Sequence, residues 1–202
     1  MNITRNLRSA VLMTVVTTLL LGLAYPLAVT GVAQLLFRDR ANGQLIERNG
    51  RLIGSRIIGQ AFTGPGYFHG RPSAAGAGYD AANSAGTNLG PTNKNLVAAV
   101  AANVEAAKRQ NPCVEPCAAV PVDVVTTSAS GLDPHISPAA AAFQVVRVAG
   151  ERGRPVDEIR GLVAEHTEGR QLGFLGEPRV NVLMLNLALD ERYSSRESRS
   201  SR

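Results

Sequence analysis

The chain has 202 residues, a formal net charge of +5, 4% aromatic residues, 20 glycines and 11 prolines. That length holds one full-sized domain plus something small, and the glycine and proline content calls for many tight turns. The 21 basic and 16 acidic residues are dispersed, with no Lys/Arg run interleaved with aromatics, which argues against a nucleic-acid groove.

From Ser9 to Phe37 no charged residue occurs, and about 20 apolar residues in helical form already cross a bilayer core. The run predicts one transmembrane helix over residues 9–37 behind a short N-terminal segment, residues 1–8. A cleaved signal peptide, the rival reading, has an apolar core of only about 7–15 residues. Pro26 is expected to kink the helix, because it removes a backbone donor and crowds the preceding turn. Arg5 and Arg8 precede the run, while Arg38, Arg40, Arg48, Arg51 and Arg56 follow it. This count leaves the side of the following domain open, since long domains translocate largely regardless of charge. A single helix encloses no pore.

Residues 41–190 read as a soluble domain. In "ANGQLIERNG" (41–50), Asn42-Gly43 and Asn49-Gly50 are turn signals. "RLIGSRIIGQAF" (51–62) predicts a strand or strand pair. The Gly/Pro/Ser/Asn-rich segment 63–93 is too long for an ordinary connection and marks a functional or docking surface. A helix over 93–110 follows, capped by Thr92 or Asn93 and stopped by Asn111-Pro112. Cys113 and Cys117 form a C-x3-C pair with no second pair or nearby His to complete a zinc site; a short disulfide loop and two unpaired thiols both stay open. "VDVVTTS" (122–128) has the β-branched density of a strand. Ser137 and Pro138 suit the N-cap and first position of a helix running to Gly150 or Gly153. A second helix starts near Pro155 with Asp157 and Glu158 in its first turn and Gly169 as its C-terminal stop. "RQLGFLGEPRVNVLMLNLALD" (170–190) predicts a tight turn and a final strand, and the basic tail 191–202 reads as disordered. Strands alternating with helices imply an α/β or α+β domain.

Ser128, Ser130, Asp133 and His135 are the residue types of acyl transfer, so a membrane-anchored hydrolase acting through Ser130, Asp133 and His135 is the enzymatic alternative. Its local pattern is wrong: "TSASG" lacks the first Gly of the G-x-S-x-G elbow, and Asp133-Pro134 suits an Asx-type turn. No phosphate-binding loop or D-K-T-G phosphorylation motif occurs, and "GPGYFHG" is one residue too long for a dinucleotide fingerprint. His69, His135 and His166 are scattered, with no i, i+4 metal-binding pair. Arg71, Arg170 and Arg179 adjoin Gly or Pro, and Asp80 follows a Gly-rich run, so each is a charge on a rigid loop suited to fixed hydrogen bonds within the domain or across an interface.

Four stretches in order, "GSRIIGQAFTGPGYFHGRPSAAGAGYD", "AGTNLGPTNKNL", "VTTSASGLDPHISPAAAAFQVVRVA" and "HTEGRQLGFLGEPRVNVLMLNLALD", resemble the C subunit of Kdp-type potassium-transporting ATPases. The resemblance runs from the N-terminal span to about Asp190; the "CVEPC" loop and the serine-rich tail depart from it. It implies a single N-terminal transmembrane helix followed by an extracytoplasmic α/β (or α+β) domain in the bacterial inner membrane, with the N-terminus cytoplasmic. It further implies a non-catalytic accessory subunit needed for assembly and stability of a high-affinity, ATP-driven potassium importer. The implied partners are a potassium-binding channel-like subunit, a P-type ATPase subunit and membrane lipid. The family is also described as a catalytic chaperone that raises the ATP affinity of the ATP-hydrolysing subunit; ATP is the one cofactor this raises, and no residue is assigned to it. On this reading the partner-contact candidates are Tyr67, Phe68, Arg71 and Asp80 in the long loop, Asp133 and His135 in the "GLDPHISP" corner, and Arg170 and Arg179 beyond.

Overall fold

The computed structural model describes residues 2–112 and 119–200, with side chains as far as Tyr193. Cys113 and Cys117 lie outside the described residues. The chain divides into two compact units, residues 1–53 and 54–202.

In the first unit, an unbroken helical stretch of 34 residues, Ile3–Leu36, is long and apolar enough to cross a membrane. It comprises α1 (Ile3–Thr17), a π-helical turn (Thr18–Ala24) and α2 (Tyr25–Leu36). The disruption expected at Pro26 takes the form of this π-turn. Pro26 has no N–H to give, so the ladder widens ahead of it and Tyr25 N–H bonds Leu20 C=O, five residues back. Thr14 and Thr17 fold their hydroxyls onto Ala10 C=O and Met13 C=O at 2.9 and 2.8 Å, which satisfies them within an apolar helix. After the single turn α3 (Arg38–Ala41), β1 (Leu45–Arg48) pairs with β2 (Arg51–Ser55). The turn between them is Asn49-Gly50, both at positive φ (54° and 71°), as a two-residue hairpin loop requires. The turn signals were legible, but the strand β1 between them was not, and residues 56–62 are not strand.

The second unit is α+β. Its helices are α4 (Lys94–Gln110), α5 (Val122–Val125), α6 (Pro138–Glu151), α7 (Val156–Glu165) and α8 (Val182–Ser200), and its strands are β3 (His135–Ile136), β4 (Thr167–Glu168) and β5 (Arg179–Asn181). The strands form one antiparallel sheet in the order β3-β5-β4, with His135 opposite Asn181 and Glu168 opposite Arg179. Ser137 caps α6 as its sequence predicts, its hydroxyl accepting from Ala140 N–H at 3.0 Å, and Asn93 caps α4 through Asn95 N–H at 2.9 Å. Gly153 closes α6 at φ 58°. Ala141, Val145 and Val148 of α6, Ile159 and Leu162 of α7, Val180 of β5, and Leu185 and Leu189 of α8 form the core.

Four expectations are corrected. The final strand is three residues long; from Val182 the chain is helix, because Val182, Leu185, Asn186, Leu189 and Tyr193 are buried at helical spacing and Asn181 Oδ1 caps Met184 N–H at 3.1 Å. The disorder expected from residue 191 fails at its start, since α8 continues and Tyr193 is buried in the core. Residues 122–125 are a helical turn: Thr126 Oγ1 donates back to Val122 C=O at 2.7 Å, overriding the β-branched preference. Helix α7 ends at Glu165, not Gly169, because His166 and Thr167 turn their side chains onto Leu162 and Val163 carbonyls and the chain enters β4.

Candidate functional site

The "GLDPHISP" corner is built residue by residue. Gly131 sits at φ 68°, and a Cβ there would lie 2.7 Å from Ala75 N and Ala85 O, so only glycine lets the long loop pass this close. Asp133 Oδ1 accepts His135 N–H at 3.0 Å, the Asx turn its sequence predicts. Pro134 C=O accepts Val182 N–H at 3.0 Å, tying the corner to the start of α8. Asp123, from α5, accepts both Ser137 N–H (2.6 Å) and Ser137 O–H (3.1 Å). The corner is therefore rigid and helix-capping.

Across it lies the long loop, pinned at several points. Ser73 O–H donates to Gly131 C=O at 2.6 Å, Ala85 N–H to Ser130 C=O at 3.0 Å, and Tyr79 O–H to Arg71 C=O at 2.5 Å. Arg71 reaches over to donate to Thr126 C=O (3.4 Å) and Thr127 C=O (3.2 Å) and to pair with Asp133 at 3.4 Å. His135 Nδ1 lies 3.5 Å from the same carboxylate. Burial opposes ionisation of Asp133, but the His135 side-chain and backbone donors and the Arg71 guanidinium overcome it, leaving the carboxyl below its ordinary range. Tyr79 is pushed above its ordinary value by burial and by the Asp133 charge.

Arg71, Asp133, His135 and Arg179 line one open groove of about 600 Å³, together with Asp123, Glu177, Val122 and Ile136. Arg71 also lines a second cleft of about 290 Å³, together with His69, Tyr79, Asn103 and Gln144. The remaining predicted residues lie elsewhere. Arg170 pairs with Glu177 at 2.6 Å on the neighbouring hairpin. Asp80 caps a short 3-10 turn, accepting from Asn83 Nδ2 (2.6 Å) and Ala82 N–H (3.0 Å), which together hold its carboxyl below the usual range. Tyr67 donates to Asp190 at 3.1 Å beneath the Arg152 guanidinium, 4.5 Å from its ring centroid. Phe68 departs from the expectation of a surface residue: it is 0% exposed in the core, and its N–H and C=O both pair with the Asn186 amide at 2.9 Å, so its ring is not presented at the surface.

The hydrolase constellation does not assemble. Ser130 Oγ accepts from Leu132 N–H at 3.1 Å, while His135 faces Asp133; among the described residues no hydrogen bond joins the serine to the imidazole. Nor do the groove residues fit a nucleotide triphosphate. Its cations Arg71 and Arg179 are already paired with Asp133 and Glu168, and the Asp123 carboxylate occupies the N-terminus of α6, the helix end that would otherwise favour an anion.

Sequence reasoning missed a buried polar network. Arg147 donates to the carbonyls of Pro65 and Tyr67, to Asn111 Oδ1 at 2.9 Å and to Gln144 Oε1 at 2.8 Å. Gln144 in turn accepts His69 N–H at 2.8 Å. Burial lowers the Arg147 pKa, and it lowers that of His69, with Gly64 C=O opposing and Arg147 assisting. The available signal was the pair of polar residues, Gln144 and Arg147, on an otherwise apolar helix face.

The family described as K+-transporting ATPase, c chain (KdpC) matches residues 7–191. A potassium-transporting ATPase KdpC subunit from Koribacter versatilis is 65% identical over 186 residues, covering 92% of this chain and 94% of the relative. Those from Rhodospirillum rubrum and Caulobacter vibrioides are 60% and 55% identical, covering 94% and 93% of this chain and 97% and 94% of the relatives.

Proposed function

This chain belongs to the KdpC family, the c chain of the potassium-transporting ATPase, and from that premise we propose that its soluble domain docks on the other subunits through the Arg71–Asp133–His135–Arg179 groove. It is an accessory subunit of that membrane complex, not the catalytic one. The observation that carries the docking role is a combination of rigidity and access. Backbone anchors and carboxylates fix the four side chains, yet these remain 25%, 31%, 25% and 41% exposed in chain order. A surface held in one conformation loses little entropy on association. Tyr67, Asp80 and Arg170 extend the same contact role along the long loop and the adjoining hairpin.

In this reading the Ile3–Leu36 helix spans the bacterial inner membrane once, with the N-terminus cytoplasmic and the domain extracytoplasmic. The partners are a potassium-binding channel-like subunit and a P-type ATPase subunit, and the chain serves their assembly and stability. Any effect on ATP affinity passes through the span and the subunit contacts, because the groove does not fit the nucleotide. Purification of the tagged full-length chain from membranes of potassium-limited cells tests this. Two stoichiometric partners, one of them a P-type ATPase, are expected; a chain recovered alone and intact contradicts the reading.

A further inference from the structure

Between β4 and β5 the chain forms a closed hairpin whose tip exposes large apolar side chains. Leu172 is 82% exposed, Phe174 68% and Leu175 47%, and none of the three belongs to the core. Single exposed apolar residues are ordinary; three within four positions on an ordered tip are not. The tip is ordered by reciprocal backbone bonds between Gln171 and Leu175, each 2.9 Å, and by Gly173 and Gly176 at positive φ (82° and 74°). Leu172 itself stands at φ 53°, a region disfavoured for a side chain of that kind, so the tip holds it outward against its backbone preference. The neck is a polar collar: Arg170 pairs with Glu177 at 2.6 Å and Arg179 with Glu168 at 3.0 Å.

We propose that this tip is a docking knob that seats in an apolar pocket on another subunit of the potassium-transporting ATPase, an inference that rests on the family reading above. The collar favours a protein pocket over a lipid surface. Insertion among anionic headgroups draws on unpaired cations beside the apolar residues, and here both arginines are matched by glutamates. An apolar anchor ringed by paired polar groups is instead the anatomy of an interface hot spot. The knob is also continuous with the proposed docking groove, since Glu177, Pro178 and Arg179 at its neck line that groove.

The test uses the whole complex, purified through a tag on this chain and weighed by native mass spectrometry. Doubly substituted L172S/F174S is expected to recover the other subunits at least tenfold less well than wild type. L172M/F174M, which keeps the apolar surface, is expected to recover them normally. Thermal unfolding of each full-length variant checks that the fold is unchanged, and failure of the methionine variant to restore recovery overturns the proposal. So does wild-type recovery by the serine variant, or a loss confined to bound lipid or to a second copy of this chain. If wild type itself brings no other subunit, it is the family-based docking role that fails, which separates the two outcomes.

Discussion

Arg147 and Arg71 both bridge loop carbonyls, and they do so in opposite settings. Arg147 is 7% exposed and spends its guanidinium on neutral oxygens from the 63–70 segment, α6 and Asn111. Arg71 lies half-buried and adds the Asp133 carboxylate to its carbonyl anchors. The first arrangement takes a charge out of water and offsets that loss with a nearly complete set of hydrogen bonds, so it fixes the path of the loop over α6. The second leaves charged groups facing an open groove. One cluster gives the domain its shape, and the other is available for contact. Substitutions should therefore separate stability from assembly.

The largest effect is expected at Phe68. Phe68→Ala removes a fully buried ring while leaving the backbone pairing with the Asn186 amide in place, and the cavity lowers stability by about 4 kcal/mol in urea unfolding of the full-length chain. Arg147→Met leaves the carbonyls of Pro65 and Tyr67 unsatisfied and should cost about 3 kcal/mol by the same measurement. Arg71→Ala should cost only about 1–2 kcal/mol, because its partners can turn to water, yet recovery of the other subunits should fall by more than it does for Arg147→Met at matched stability. A reversed order of recovery would break the division between shape and contact.

The pH dependence sharpens the same division. The folded state holds the His69 pKa below 6.5, chiefly by burial, so the unfolded chain binds more protons on acidification. The stability tied to neutral His69 is complete above about pH 6.5 and is lost as pH falls from there through the folded pKa. His69→Gln, which keeps a donor for Gly64 C=O, should flatten this slope in unfolding midpoints measured across that window. Asp133 has the carboxylate sign: its contribution is present above the ordinary Asp value and is lost only as pH falls through its depressed folded value. Ser130→Ala should be the smallest change, within about 0.5 kcal/mol and without effect on potassium-stimulated ATP hydrolysis by the complex.

What was legible in the sequence was local. Ser137-Pro138, Asn93 and Asn111-Pro112 announce helix ends because capping is decided within a few residues. Arg71 and Arg179 stand out in the sequence because neighbouring Gly or Pro marks a rigid loop, and Asp133 because the Asx turn is a short-range pattern; the structure brings the three to one groove. Helix α8 was hidden because "VNVLMLNLALD" is apolar almost throughout, which blurs the 3.6-residue period, and the Asn181 cap was the one overlooked cue. Phe68 was misread because it stands in a glycine-rich loop, and its two-sided pairing with Asn186, 118 residues away, leaves no local trace. The glutamates of the groove and collar, Glu168 and Glu177, were missed for a different reason: their arginines lie only 11 and 7 residues away, but the pairing depends on how the intervening hairpin folds.

The most direct measurement places a photo-crosslinking side chain at Arg179, in the groove, and separately at Arg160, an exposed α7 residue that lines no part of it. Both are irradiated in the intact membrane complex. The account predicts covalent adducts with another subunit from position 179 and none from position 160. Adducts from 160 with none from 179 would contradict it.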